Sequence, residues 1–384
     1  MKKLFFLAAA ALIALAACTQ NNIDVDSIEG RVINFNTVAG KATKAPITGT
    51  TYHYNYSSFG VFAWYLASGD WNTAAANSSA VAYMGSGSPL ASPVEITWNE
   101  TKDIWAPAST YYWPLQGKLT FIAYSPYDAA TATFSNEGVL TLTGYTLDTT
   151  VADQVDLLYS AVAANKTQNE SFYEDSDNSK NSGTAEGDKG VNIQFKHALS
   201  QIIFKAKTAD EVYDAGLSFK IDSIFVNAAS TAASMTVTNP AVDAAPAGIT
   251  TWNTPGTKLE FDVRVTAFPE AANTYLTKTL SDPIGDALLA IPVTEFDTTD
   301  PTITVKYTLY RLSDNQNLGS KTVTVNVKNV DDIVTSWQAG KKYEYDLKID
   351  LQKIYFTPSI IDWDATSPAQ GVNVPDGTPY NPSV

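Results

Sequence analysis

The 384-residue chain carries few side chains suited to catalysis or metal binding: two histidines, His53 and His197, and one cysteine, Cys18. Zinc sites of Cys and His, disulfide frameworks and Cys–His nucleophile pairs all need more of these residues, so those chemistries are excluded. His197 lies between Phe195 and Leu199 at a strand entrance, and nothing nearby completes a catalytic set. It reads as a hydrogen-bonded structural histidine rather than a general base. His53 sits among Tyr52, Tyr54 and Tyr56 and reads as a loop or edge residue. Asp175-x-Asp177-x-Ser179-x-Asn181, with Glu186 in twelfth place, imitates a calcium loop. Lys180 stands where such a loop needs glycine to turn, and no helices flank it, so it reads as a solvated acidic loop. There is no Gly-x-Ser-x-Gly elbow, no glycine-rich phosphate loop and no His-Glu-x-x-His. Carboxylate pairs for glycoside hydrolysis can be drawn from 40 acids, but sequence singles out none. No catalytic residue, cofactor or metal ligand is assigned, and the chain reads as a non-enzyme.

Cys18 has another use. Lys2 and Lys3 form a basic start, and Leu4 to Ala14 is an apolar run, well short of the ~20 residues that span a bilayer. Leu15-Ala16-Ala17-Cys18 follows and resembles the bacterial lipobox, in which the cysteine is lipidated and becomes the mature N-terminus. The alternative is an ordinary signal peptide with a chance cysteine. The lipobox reading makes residues 1–17 a signal peptide and Cys18 the lipidation site of an outer-membrane lipoprotein precursor, anchored rather than spanning. Thr19 to Glu29 then reads as a polar, acidic tether.

The elements that would carry any function are strands. Tyr (20), Phe (16) and Trp (8) are plentiful, with 21 Gly and 18 Pro as punctuation. Val32 to Val38 alternates, with Ile33, Phe35 and Thr37 on one face. Strands are also expected at 59–65, 94–98, 119–124, 138–142, 191–195, 200–207, 218–226, 259–265, 288–292, 302–310, 321–327 and 343–351. In 218–226, Phe219, Ile221 and Ile224 are expected inside if the period roughly holds. Residues 74–82 and 148–164 are short helical or irregular stretches. Asn169 to Gly190 is a long surface loop, and Thr208 to Gly216 a polar connector where a domain boundary is placed. The pattern predicts an all-β chain of antiparallel β-sandwiches, at about two or three domains for this length. Net charge is −15, from 25 Lys+Arg against 40 Asp+Glu, which excludes nucleic acid as a partner.

Several segments carry a family resemblance: Trp105 to Pro126 with Tyr-Tyr-Trp-Pro and Leu-Thr-Phe-Ile-Ala-Tyr, Gln154 to Tyr159, Phe195 to Lys207, Ile291-Pro292, Trp337 to Leu347, and Ile354 to Trp363. In this order they resemble the fimbrillin (Mfa-like) lipoproteins of Gram-negative gut and oral anaerobes, the subunits of type V pili. The resemblance implies two tandem transthyretin-like (Greek-key) sandwiches. It also implies a first strand that a surface protease removes, and an opened groove that a strand of the next subunit fills. Mapped here, 18–44 is a lipidated propeptide, 45–208 the first sandwich and 209–384 the second with a C-terminal tail. The removable strand holds Val32, Ile33, Phe35 and Val38, with the cut after Lys44 or, second, Lys41. Val32 to Val38 as a permanent first strand is the alternative. The tail, with Pro368, Pro375, Pro379 and Pro382, makes a weak donor; its candidate residues are Val372, Val374 and Tyr380, and a frayed terminus is the other reading.

The implied function is a structural or adhesive pilus subunit at the cell surface. Its partners would be other subunits in a homo- or hetero-polymer, the outer membrane in the precursor, and a host or bacterial surface ligand. Stalk, tip and anchor roles stay open. The competing function is a non-polymerising surface lipoprotein that binds glycans through Trp64, Tyr65, Trp71, Trp105, Tyr111, Tyr112 and Trp113. Such aromatics are more often sandwich core.

Overall fold

Large apolar residues at every second position dictate most of the strands. The computed structural model describes residues 32–39, 56–71, 76–101, 104–167, 190–229, 231–238, 249–254, 258–297, 301–329 and 334–363. In chain order its strands begin with β1 (Phe35–Ala39), β2 (Ser58–Leu66), β3 (Val81–Met84), β4 (Val94–Asn99), β5 (Ile104–Pro107) and β6 (Lys118–Ser125). Then come β7 (Thr131–Phe134), β8 (Val139–Thr146), β9 (Leu158–Ser160), β10 (Ala163–Lys166), β11 (Val191–His197) and β12 (Ser200–Thr208). After a single helical turn, α1 (Asp210–Asp214), follow β13 (Leu217–Ala229), β14 (Thr231–Thr238), β15 (Ile249–Asn253), β16 (Lys258–Arg264) and β17 (Leu288–Ala290). The last are β18 (Thr302–Arg311), β19 (Gln316–Asn326), β20 (Lys341–Ile349) and β21 (Ile354–Asp362). The all-β class is therefore established.

The first half is not the two-sheet sandwich expected. Strands β2, β4, β5, β1, β11, β9 and β6 are joined in that order, and β6 returns to pair with β2, so seven strands close into a ring. The closing ladder is long, from Gly60↔Tyr124 to Leu66↔Lys118. Closure leaves no free edge between these strands. It also explains why β2 and β6 read as continuous apolar runs rather than alternating ones. Phe59, Val61 and Ala63 line the ring interior, while Phe62, Trp64 and Leu66 face outward into a second core. A strand covered on both faces is apolar throughout.

The second core is completed by the sheet β7-β8-β14-β15, whose Phe134, Leu140 and Leu142 pack with Phe62 and Trp64. This sheet joins strands from before and after the connector at 208–216, through the β8–β14 ladder. Beyond it, β17-β12-β20-β21 and β16-β13-β18-β19 face each other as a sandwich. Strict alternation holds in β20, with Tyr343, Tyr345, Leu347 and Ile349 inside and Lys342, Glu344, Asp346 and Lys348 outside. In β13, Ile221 and Ile224 are both buried despite their odd spacing, because the β13–β18 register shifts between Ile221 and Ser223.

Candidate functional site

The ring depends on a short strand with no charge. β1 reads Phe35-Asn36-Thr37-Val38-Ala39, and it is the link between β11 on one side and β5 on the other. With β11 it runs parallel, Phe35 opposite Val191 and Ala39 opposite Phe195. With β5 it runs antiparallel through Phe35↔Trp105, and a bridge from Val32 to Tyr112 extends the contact. Main-chain bonds fix the entrance: Ile33 N–H donates to Tyr111 C=O and Val191 N–H donates to Asn34 C=O, both at 2.8 Å. Removing β1 would leave a slot between β5 and β11, with unpaired main-chain groups along both walls.

Side chains set how firmly the slot is filled. Ile33, Phe35 and Thr37 are all buried, as their alternation predicts. The Phe35 ring meets Phe121 at 5.7 Å and Phe59 at 6.2 Å, both edge-on. Phe59 in turn contacts Trp105 at 5.1 Å and Phe195 at 5.5 Å, so Phe35 joins an aromatic cluster whose hub is Phe59. Burying Ile33 and Phe35 contributes about 1.5–3 kcal/mol each. Gly190 explains how β1 lies so close to the start of β11. Its φ is +96°, and a Cβ there would stand 2.5 Å from the Asn34 carbonyl carbon and oxygen. Only glycine meets both demands.

A second cluster ties the end of β21 to the ring. His197 ends β11, and its imidazole stacks on the Trp363 indole at 4.0 Å between centroids. His197 Nδ1 pairs with Asp156 Oδ2, and Trp363 N–H donates to Gly340 C=O at 3.0 Å. Both rings are buried.

Of the residues singled out from sequence, Val32, Ile33 and Phe35 belong to the slot and Val38 lies opposite Gln194 in its ladder. Cys18, Lys41, Lys44, His53, the loop from Asp175 to Glu186, and Val372, Val374 and Tyr380 lie outside the described residues. Among the aromatics considered for sugar stacking, Trp64, Trp71, Trp105 and Trp113 are core; Tyr65 and Tyr111 are half-buried and Tyr112 is exposed. Among the described residues no group of three or more His, Cys, Asp or Glu is placed to hold a metal ion, and no helix is long and apolar enough to cross a membrane. Sequence reasoning missed Gly190, Asp156 and the Trp363 stack. Gly190 was hidden at the end of a polar stretch that reads as loop.

The slot can be set beside known proteins. The profile of a family described as fimbrillin-like matches residues 43–363. The chain is 24% identical over 395 residues to fimbrium subunit Fim1C of Phocaeicola vulgatus, covering 90% of this chain and 92% of that one. A crystal structure of a fimbrial protein from Bacteroides vulgatus is similar with a TM-score of 0.50 at 19% identity, covering 87% of this chain and 99% of the other. At that identity the likeness concerns the fold. The matched family span begins after β1 and stops at Trp363.

Proposed function

The chain belongs to the fimbrillin-like family, and from that premise we propose that it is a structural subunit of a cell-surface fimbrium that joins its neighbours by exchanging β1 for a strand of the next subunit. The subunit travels as a lipoprotein, lipidated at Cys18 and held at the outer membrane. A protease cut after Lys44, or after Lys41, frees the lipid and β1 together. A neighbour's extended segment then fills the slot between β5 and β11. The candidate segment in this chain is Gly371 to Val374 with Tyr380, supplying Val372 and Val374. The work is assembly and adhesion, without catalysis, and the partners are other fimbrial subunits. The ring and the β12–β21 sandwich are read as the two transthyretin-like units of the family, the first with its edges joined.

The observation that carries this reading is the position of β1. It separates β5 from β11, lies near the N-terminus, and stands outside the span shared with the family. Lys41 and Lys44 follow its last residue, Ala39, within a short polar stretch. An incoming strand gains affinity from main-chain bonds and register from side-chain pockets. A head-to-tail contact of this kind does not close, so it generates a filament.

Two changes in cells test the reading. Lys41→Ala with Lys44→Ala should leave folded, lipid-anchored precursor and no filaments in electron micrographs. Deleting Asp364 to Val384 should stop elongation. Filaments of normal length from both variants would refute the assigned cut and the assigned donor.

A further inference from the structure

Two successive residues of β1 carry buried polar side chains, on opposite faces of the strand. Thr37 is fully buried and Asn36 is 5% exposed. Among the described residues, neither the Thr37 Oγ1 nor the Asn36 Nδ2 has a hydrogen-bond partner. The Trp64 indole N–H on β2 is likewise without a partner among the described residues, but the buried hydroxyls of β6 and β9 are served. Ser160 Oγ accepts from Ala123 N–H at 2.8 Å, Thr120 Oγ1 accepts from Asn165 N–H at 3.2 Å, and Ser125 Oγ donates to Ser58 C=O at 3.4 Å. Thr37 stands opposite Ile193, within a ring core built of Phe35, Phe59, Phe121, Ile193 and Phe195. A buried hydroxyl or amide that exchanges water for nothing weakens the strand that carries it.

Resting on the strand-exchange reading above, we propose that Asn36 and Thr37 hold β1 below the affinity its slot can give, and that the segment replacing it is an extended stretch of another subunit with an aliphatic side chain at the Thr37 position. Two strands competing for one slot form the same main-chain ladder, so those bonds cancel. The outcome rests on side chains. Valine has the shape of threonine without the hydroxyl, so it fills the same space and leaves no buried oxygen unpaired. Phe35 secures β1 while the subunit is held as precursor, and the two polar residues keep that hold limited. The slot therefore favours a successor over its first occupant.

The test uses the chain from residue 19, with β1 in place, as wild type, Thr37→Val and the control Thr120→Val. Thr37→Val should raise the melting temperature by about 2–4 °C, and Thr120→Val, which removes the acceptor of Asn165 N–H, should lower it. After digestion with a lysine-specific protease, the fragment carrying Thr37→Val should leave the body at least tenfold more slowly than the wild-type fragment, and polymer should form correspondingly later. A Thr37→Val chain that melts at or below wild type would overturn the inference. Polymer forming equally fast from both chains would overturn it too, while leaving strand exchange intact. No polymer from either chain would instead remove the strand-exchange reading.

Discussion

The Trp363 indole lies flat on the His197 imidazole, with 4.0 Å between ring centroids and 4° between planes. This stack joins the end of β21 to the end of β11, so the terminus of β21 and the wall of the β1 slot share one anchor. Trp363→Ala should destabilise the fold by about 3–5 kcal/mol in urea unfolding, the usual cost of emptying a buried tryptophan site. Trp363→Phe should recover most of it. An alanine variant unfolding within about 0.5 kcal/mol of wild type would mean that the stack contributes nothing to stability.

Gly190 should tolerate no side chain. Gly190→Ala drives a Cβ into the Asn34 carbonyl and adds left-handed backbone strain of about 1–2 kcal/mol. Gly216 has a φ of +76° and open space around it. Gly216→Ala should therefore cost about the backbone strain alone. Unfolding both variants compares clash with strain, and equal losses would argue against the close approach of β1.

Phe35→Ala should loosen β1 without touching β5 or β11. The loss expected is about 3–5 kcal/mol, read as a fall in the stability of the intact chain. Hydrogen exchange should speed up at Val191, whose N–H is held by Asn34 C=O, while β20 stays protected. Uniform acceleration across both halves would show that the ring and the second sandwich unfold as one unit.

Asp346 gives a pH dependence. It lies on the outer face of β20, opposite Lys205. Burial first, and Glu344 second, raise its pKa above the usual carboxylate value, against the opposing pull of Lys205 and Lys207. Folding thus favours the protonated form, so the stability this group supplies is present below the unfolded-state pKa and lost as pH rises through the folded one. Asp346→Asn should raise stability at neutral pH, and the gain should shrink towards zero below about pH 4. A gain independent of pH would assign the effect to something other than ionisation.

Much of the fold was legible in sequence where one face is wet. β11 and β20 alternate as written, because one side of each meets the core and the other does not. Ring closure was not legible. It depends on β1 pairing in parallel with β11, a contact between segments far apart in the chain with no turn to set its register. β2 and β6 announce burial on both faces but not which partners cover them. β14 and β15 went unread: Thr231 to Thr238 is mostly Thr, Ala and Ser, with only Met235 and Val237 as larger apolar residues, and its strand is paired with β8. At the site, Ile33, Phe35 and Thr37 followed their period, whereas alternation alone would put Asn36 at the surface. Its burial is a tertiary effect.

One digestion tests the exchange of β1 most directly. The folded chain from residue 19, treated with a lysine-specific protease, should lose β1 through a single early cut after Lys44 or Lys41. Mass spectrometry should then find the new N-terminus at Ala45 or Ala42, and an unboiled detergent gel should show a ladder of polymers. A chain that resists at both lysines, keeps residues 32–39 and stays monomeric would contradict the exchange of β1 and leave the ring as a permanent closure.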